Sequence, residues 1–284
     1  MHLGIALSLA VFISFLPALC NADMRPIKKL RTGMPPYAVA EKIARHNDQV
    51  VTKRPANEPL RTPSTPHMIW LADCDARVQA TLFYPDPVDT IYTVRNPGNQ
   101  LALSAGAIDY GVNELFAPVL FITGNTNSDS LRLFAKGYNH LEPDLRRDLD
   151  GLRFALGEQV ENGAEAEPRL VEKNVDFQVA TALKRYAPRI ESGRLVVIGG
   201  VIDLNNQYGL GVNRLIIINI NGETEPTRLR GMHHLVRLDK RLLNLVGRKP
   251  WEETTKEVKA TIAPKKSISR AKTAKRVPQK KRRE

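Results

Sequence analysis

Short apolar runs that end in polar residues, with helical segments between them, constrain the fold of this chain more than any other feature. The apolar runs are 68–73, 90–96, 119–125 and 194–204. The segments with helical spacing are 101–116, 141–159 and 169–187. Apolar strands that alternate with amphipathic helices predict an α/β fold, with a mostly parallel central sheet flanked by helices. A fifth apolar run, 214–221, predicts a further strand in this sheet or at its edge.

The N-terminal segment is typical of an export signal. Residues 3–19 are apolar and uncharged, and small or polar residues follow at 20–22, so we expect a signal peptide over 1–22 with cleavage after Ala22. The mature protein is then periplasmic or secreted. Because only the terminal amine and His2 precede the apolar run, an uncleaved membrane anchor is the alternative.

The C-terminal segment carries most of the positive charge. The chain has a formal net charge of +12, and residues 256–284 hold twelve Lys and Arg against Glu257 and Glu284, which accounts for ten of these charges. Because the segment has almost no large apolar side chains, we predict a disordered tail over 254–284. It serves either as a solubilising extension or as a contact with nucleic acid, anionic lipid or acidic polysaccharide.

Between these ends, we expect an N-terminal arm over 23–60 and a folded domain over 61–253. Residues 38–52 of the arm have the spacing of an amphipathic helix that docks on the sheet or on another subunit, which favours a homodimer. Only two cysteines, Cys20 and Cys74, are present, so a multi-cysteine zinc motif is excluded. Cys74 is interpreted as a small buried core thiol.

Polar residues follow three of the predicted strands. They are Asp73-Cys74-Asp75-Ala76-Arg77, Arg95-Asn96-Pro97-Gly98-Asn99, and Gly124-Asn125-Thr126-Asn127-Ser128-Asp129. Since the carboxyl ends of parallel strands meet at one edge of a sheet, these residues predict a shared crevice there.

In order and spacing, these strand ends resemble the motifs of β-class carbonic anhydrases. The segments 104–110, 174–179 and 193–204 resemble later parts of the same family. The resemblance covers roughly 38–222. It implies an α/β subunit, a dimer, and a zinc ion that is held by two Cys and one His and activates water for attack on carbon dioxide.

The sequence departs from the family where this chemistry takes place. The three positions of the family's zinc ligands carry Asp73, Asn125 and Ser128, and the position of a substrate-contacting Gln carries Ser64. An amide oxygen and a neutral hydroxyl are poor zinc ligands, so we expect no tight zinc site and no cofactor. Asp75 and Arg77 match a catalytic ion pair of the family. These features predict a pseudoenzyme that acts in binding or assembly.

Three alternatives stay open at this point. An active carbonic anhydrase would rebuild its metal site from Asp73 and histidines elsewhere, although the adjacent His233 and His234 are interpreted as solvated. A binding protein would act through its basic tail. Asp75 and Arg77 form either a structural salt bridge or, through Arg77 and the backbone around Gly124, a pocket for bicarbonate or another small oxyanion.

Overall fold

The computed structural model describes residues 35–53, 64–158 and 166–249, and the chain divides into two units, Met1–Leu60 and Arg61–Glu284. The described part of the first unit is helix α1 (Pro36–Lys53), which confirms the helix predicted over 38–52. None of the described helices combines the length and the apolar character needed to cross a membrane. The predicted signal peptide and basic tail lie outside the described residues.

The second unit is built on a five-stranded sheet with the order β2-β1-β3-β4-β5. Its strands are β1 (Met68–Asp73), β2 (Ile91–Asn96), β3 (Val119–Asn125), β4 (Val196–Asp203) and β5 (Arg214–Ile220). The first four are parallel, and β5 pairs antiparallel with β4 at the edge. All five strands confirm the predicted runs. The interior strands β1, β3 and β4 are buried along most of their length, and strands buried on both faces need nearly continuous apolar sequence.

The helices that follow α1 vary widely in length. They are α2 (Ala105–Asn113), α3 (Asp129–Lys136), α4 (Pro143–Asp150), α5 (Arg153–Leu156), α6 (Ala166–Arg185), α7 (Ala187–Glu191), α8 (Pro226–Arg230) and α9 (Lys240–Leu243). The single helix predicted over 141–159 is wrong, since α4 and α5 are separate. The Gln100 amide donates to the Asp148 carbonyl at 2.8 Å, and Leu152 N–H donates to the Leu149 carbonyl instead. These two bonds therefore replace the helical hydrogen bond that would join Leu152 N–H to the Asp148 carbonyl.

A separate apolar cluster covers each face of the sheet. On one face, Val171, Val175 and Val179 of α6 pack with the strands in the largest apolar cluster. On the other face, Trp70 and Phe121 pack with Phe83 and its neighbours. This packing orients the strands so that β1, β2 and β3 end in polar residues beside one another.

Candidate functional site

The carboxyl ends of β1 and β3 bring together the three positions at which the family resemblance places zinc ligands. Asp73 is the last residue of β1, and Asn125 is the last residue of β3. Ser128 precedes α3 and caps its first turn. All three residues are buried, with at most 2% of their surface exposed. The parallel pairing of β1 with β3 is what places them at one edge of the sheet.

The Asp73 carboxylate accepts hydrogen bonds from four neighbouring donors. Its Oδ1 accepts hydrogen bonds from the N–H groups of Cys74 (2.7 Å) and Gly98 (3.0 Å) and from the Ser130 hydroxyl (2.8 Å). Its Oδ2 accepts from the Ser128 hydroxyl at 2.5 Å. A carboxylate offers about four lone-pair positions, two on each oxygen, so the three donors on Oδ1 and the one on Oδ2 occupy most of its capacity. Asp73 thus acts as an internal acceptor that ties β1 to two loops.

Ser128 and Asn125 are also engaged within the protein. The Ser128 hydroxyl, besides donating to Asp73, accepts from Leu131 N–H at 3.2 Å as the N-cap of α3. The Asn125 amide donates through Nδ2 to Asp75 Oδ2 at 3.0 Å. Each of the three positions therefore takes part in a hydrogen bond that fixes a strand end or a helix start.

Asp75 and Arg77 form an ion pair at the outer edge of this cluster. Arg77 donates from its backbone N and from Nε to Asp75 Oδ1, both at 2.9 Å, and from Nη2 to Oδ2 at 2.5 Å. Nη2 also donates to the Asn127 carbonyl at 2.7 Å. Burial of Asp75 acts to raise its pKa, but the hydrogen bonds and charge of Arg77 and the Asn125 amide outweigh it. The pKa of Asp75 therefore lies below its ordinary value.

The loop after β2 completes the site from the other side. Asn96 Oδ1 accepts from Gln100 N–H at 2.6 Å, and Asn174 of α6 donates to the Gly98 carbonyl at 2.8 Å. Gln178 Oε1 accepts from Leu101 N–H at 2.9 Å. These buried amides hold the loop so that Gly98 N–H faces Asp73. Asn174 and Gln178 were not predicted to be site residues, although amides on the apolar face of a helix are a usable signal of buried polar contacts.

Three residues singled out from the sequence lie elsewhere or differ from expectation. Ser64 donates to Asp89 Oδ1 at 2.5 Å near the start of β2, at the opposite end of the strands. Gly124 is buried under α6, where an added Cβ would lie 2.6 Å from Val171 Cγ1. The buried-thiol interpretation of Cys74 is wrong, because this residue follows the last residue of β1 and is exposed.

The described histidines do not complete a metal centre with this cluster. His233 and His234 lie in a C-terminal turn with ring centroids 3.7 Å apart. Across residues 35–53, 64–158 and 166–249, no three His, Cys, Asp or Glu side chains are grouped so that they could hold a metal ion. At the family's ligand positions, one carboxylate that already accepts four hydrogen bonds, one amide and one hydroxyl do not fit the thiolate and imidazole set that zinc prefers.

The sheet order and strand-end motifs define an α/β domain of the β-carbonic anhydrase type, and comparison with known proteins agrees. Residues 68–208 match the family model described as carbonic anhydrase. The β-carbonic anhydrase CcaA superimposes with a TM-score of 0.54 at 17% identity, covering 64% of this chain and 94% of that one. A tetrameric β-carbonic anhydrase from the filamentous ascomycete Sordaria macrospora gives 0.52 at 17% identity, covering 64% and 95%.

A third structure, the Coccomyxa β-carbonic anhydrase in complex with acetazolamide, gives a TM-score of 0.50 at 17% identity, covering 58% of this chain and 81% of that one. No curated protein sequence matches the chain. On the family match over residues 68–208 and the shared fold, this domain of the chain belongs to the β-class carbonic anhydrase family.

Proposed function

We propose that this protein is an exported member of the family without a catalytic zinc site, a pseudoenzyme that acts in binding or assembly. The hydrogen bonding of Asp73 carries the proposal. Zinc in this family supplies a metal-bound hydroxide at neutral pH, which requires ligands whose lone pairs converge on the ion. The Asp73 oxygens instead converge on the donors of Ser128, Ser130 and two backbone N–H groups.

Metal binding at this spot would also break a satisfied network. To ligate an ion, Asp73 would release buried donors, and each buried donor left without an acceptor costs about 1–3 kcal/mol. Asn125 and Ser128 would contribute only neutral oxygen ligands in return. The network therefore opposes zinc binding in addition to lacking thiolates and imidazole.

Metal content of the chain from residue 23 onward, purified without chelator or His tag, tests the proposal. We expect far less than one zinc per chain and no carbon dioxide hydration. The triple variant Asp73→Cys, Asn125→His, Ser128→Cys should gain zinc, and the matched control with Ser128→Ala in place of Cys should gain little. Stoichiometric zinc with hydration by the unmodified chain would instead establish the alternative, an active enzyme with a rebuilt site.

We also propose a homodimer. Helix α1 carries apolar side chains that are exposed in the described chain, among them Val39, Ile43 and Val50, with 66% exposure for Ile43. Sedimentation equilibrium should give a dimer, and Ile43→Glu should shift it toward monomer while the matched change Glu41→Gln should not.

Binding of a small oxyanion at Arg77 is a second candidate function. The Arg77 side chain is 44% exposed at the rim of the cluster, where guanidinium recognises planar anions well. Calorimetric titration with bicarbonate should give heat that disappears in Arg77→Gln. Arg132→Gln is the matched control, because Arg132 is also 44% exposed and also pairs with a carboxylate, that of Asp129.

A further inference from the structure

The last described part of the domain is folded, and it is strongly basic. Residues 226–249 contain seven Lys and Arg and one acidic residue, Asp239. Within it, residues 228–241 are defined here as the basic segment. This segment runs from α8 through a short turn to α9 and belongs to the described structure, unlike the tail that follows.

The basic segment is anchored by its apolar residues, and its charged residues point outward. Leu229 and Leu235 are buried in a cluster with Ile220 of β5 and Val246. Arg230, Arg237, Lys240 and Arg241 are exposed. The Arg230 Nε donates to the Val246 carbonyl at 3.0 Å, which fixes its direction. Folding of this segment therefore concentrates cations on a short, ordered stretch of surface.

Much of this charge is not neutralised within the described chain. Arg228 pairs with Glu223 at 2.9 Å. The Asp239 carboxylate caps α9 by accepting from Leu242 N–H at 2.8 Å. Arg237, Lys240 and Arg241 form no ion pair with a described residue. Three neighbouring cations without acidic partners favour an anionic binding partner.

Apolar groups beside these cations indicate which kind of anion. Val236, next to Arg237, is 78% exposed. Two other apolar residues of this region, Leu238 and Leu242, line a groove of about 280 Å³ together with residues of β5 such as Leu215. Phe, Tyr and Trp, the side chains that most often stack on nucleic acid bases, are absent from 226–249. Protein surfaces that lie in the headgroup region of anionic membranes typically combine basic residues with exposed aliphatic side chains.

We propose that the basic segment docks the folded domain on an anionic lipid bilayer. Arg237, Lys240 and Arg241 contact lipid headgroups, and Val236 enters the interface between them. This inference does not depend on the absence of zinc, because the segment lies outside the Asp73 cluster. It differs from an effect of the basic tail, since it assigns lipid contact to folded residues.

Vesicle sedimentation with the chain from residue 23 onward tests the proposal. The probe is phosphatidylcholine vesicles with and without phosphatidylserine, in buffer of physiological ionic strength. One charged variant carries Arg237→Gln, Lys240→Gln and Arg241→Gln. Its matched control removes three exposed cations elsewhere, with Lys136→Gln, Lys184→Gln and Arg194→Gln. Circular dichroism confirms that each variant is folded.

We expect the basic-segment variant to lower partitioning onto anionic vesicles on the order of 100-fold, from a factor of about five per charge near such a surface. The matched control should lower it much less. Val236→Ser should weaken vesicle binding and leave binding to a DNA duplex unchanged. Equal losses for the two triple variants would overturn the proposal in favour of the tail. Two results together would overturn the proposal in favour of a general polyanion surface. They are that Val236→Ser leaves vesicle binding unchanged, and that the basic-segment variant loses as much DNA binding as lipid binding.

Discussion

Replacement of Asp73 by Ala isolates the energetic role of the hydrogen-bond network at the strand ends. The change leaves three buried donors without their acceptor: the hydroxyls of Ser128 and Ser130 and the N–H of Gly98. At the lower end of the range for a buried donor left unsatisfied, about 1 kcal/mol each, the free energy of unfolding falls by about 3 kcal/mol. For a domain of this size, the melting temperature then falls by roughly 6–12 °C.

Urea and thermal unfolding followed by circular dichroism, with and without EDTA, measure this effect. The control is Asp144→Ala, because the Asp144 side chain is 87% exposed and its removal should change stability by no more than about 0.5 kcal/mol. EDTA should leave the unmodified chain unchanged. The reasoning fails if Asp73→Ala costs less than about 1 kcal/mol, or if EDTA alone destabilises the unmodified protein, since the stabilising partner of Asp73 would then be a metal.

Three further outcomes follow from the same structure. Gly124→Ala should destabilise the domain by about 1–3 kcal/mol through overpacking against α6, whereas Gly106→Ala, where an added Cβ meets nothing within 4 Å, should be neutral or slightly stabilising in the same urea titrations. Because the pKa of Asp75 is lowered in the folded state, its stabilising effect is present above the ordinary value of 3.8 and lost as the pH falls below it. Arg77→Gln should therefore lower stability at pH 7, and its difference from the unmodified chain should shrink toward pH 3; a constant difference would contradict this. Although Cys74 as a residue is exposed, partial desolvation of its thiol and the nearby Asp73 charge raise the pKa of Cys74, so iodoacetamide should alkylate it more slowly at pH 8 than it alkylates a cysteine in a short peptide, as mass spectrometry can measure.

The interior strands were predictable because burial on both faces leaves a simple pattern. Residues 68–73, for example, form an uninterrupted apolar run that ends at a polar residue, and β1 has these bounds. The short helices were not predictable from periodicity, since α3, α8 and α9 are too short to show it. Their capping residues are the better signal: Ser128, Glu225 and Asp239 each accept a backbone N–H from the first turn.

The site was predictable as a set of positions but not as a set of contacts. Parallel pairing ensured that Asp73 and Asn125 would end neighbouring strands. The direction of each hydrogen bond was not accessible, because it depends on loops that are distant in sequence, such as the one that presents Gly98 N–H to Asp73 over a separation of 25 residues. The exposure of Cys74 was not predictable for a similar reason. A residue just past a strand end is placed by the following turn rather than by the alternation of side chains along the strand.

Gly199 and Gly200 leave the backbone of β4 without side chains on two successive residues, which face opposite sides of the sheet. A Cβ on Gly199 would lie 2.9 Å from Val175 and Val179 of α6, and a Cβ on Gly200 would lie 2.9 Å from Leu215 on the opposite face. The register between β4 and β5 also shifts between these two glycines. Because neither glycine has a side chain, α6 approaches the backbone of β4 closely on one face and Leu215 approaches it closely on the other. A side chain at either position would therefore force the layers of the domain apart at this point.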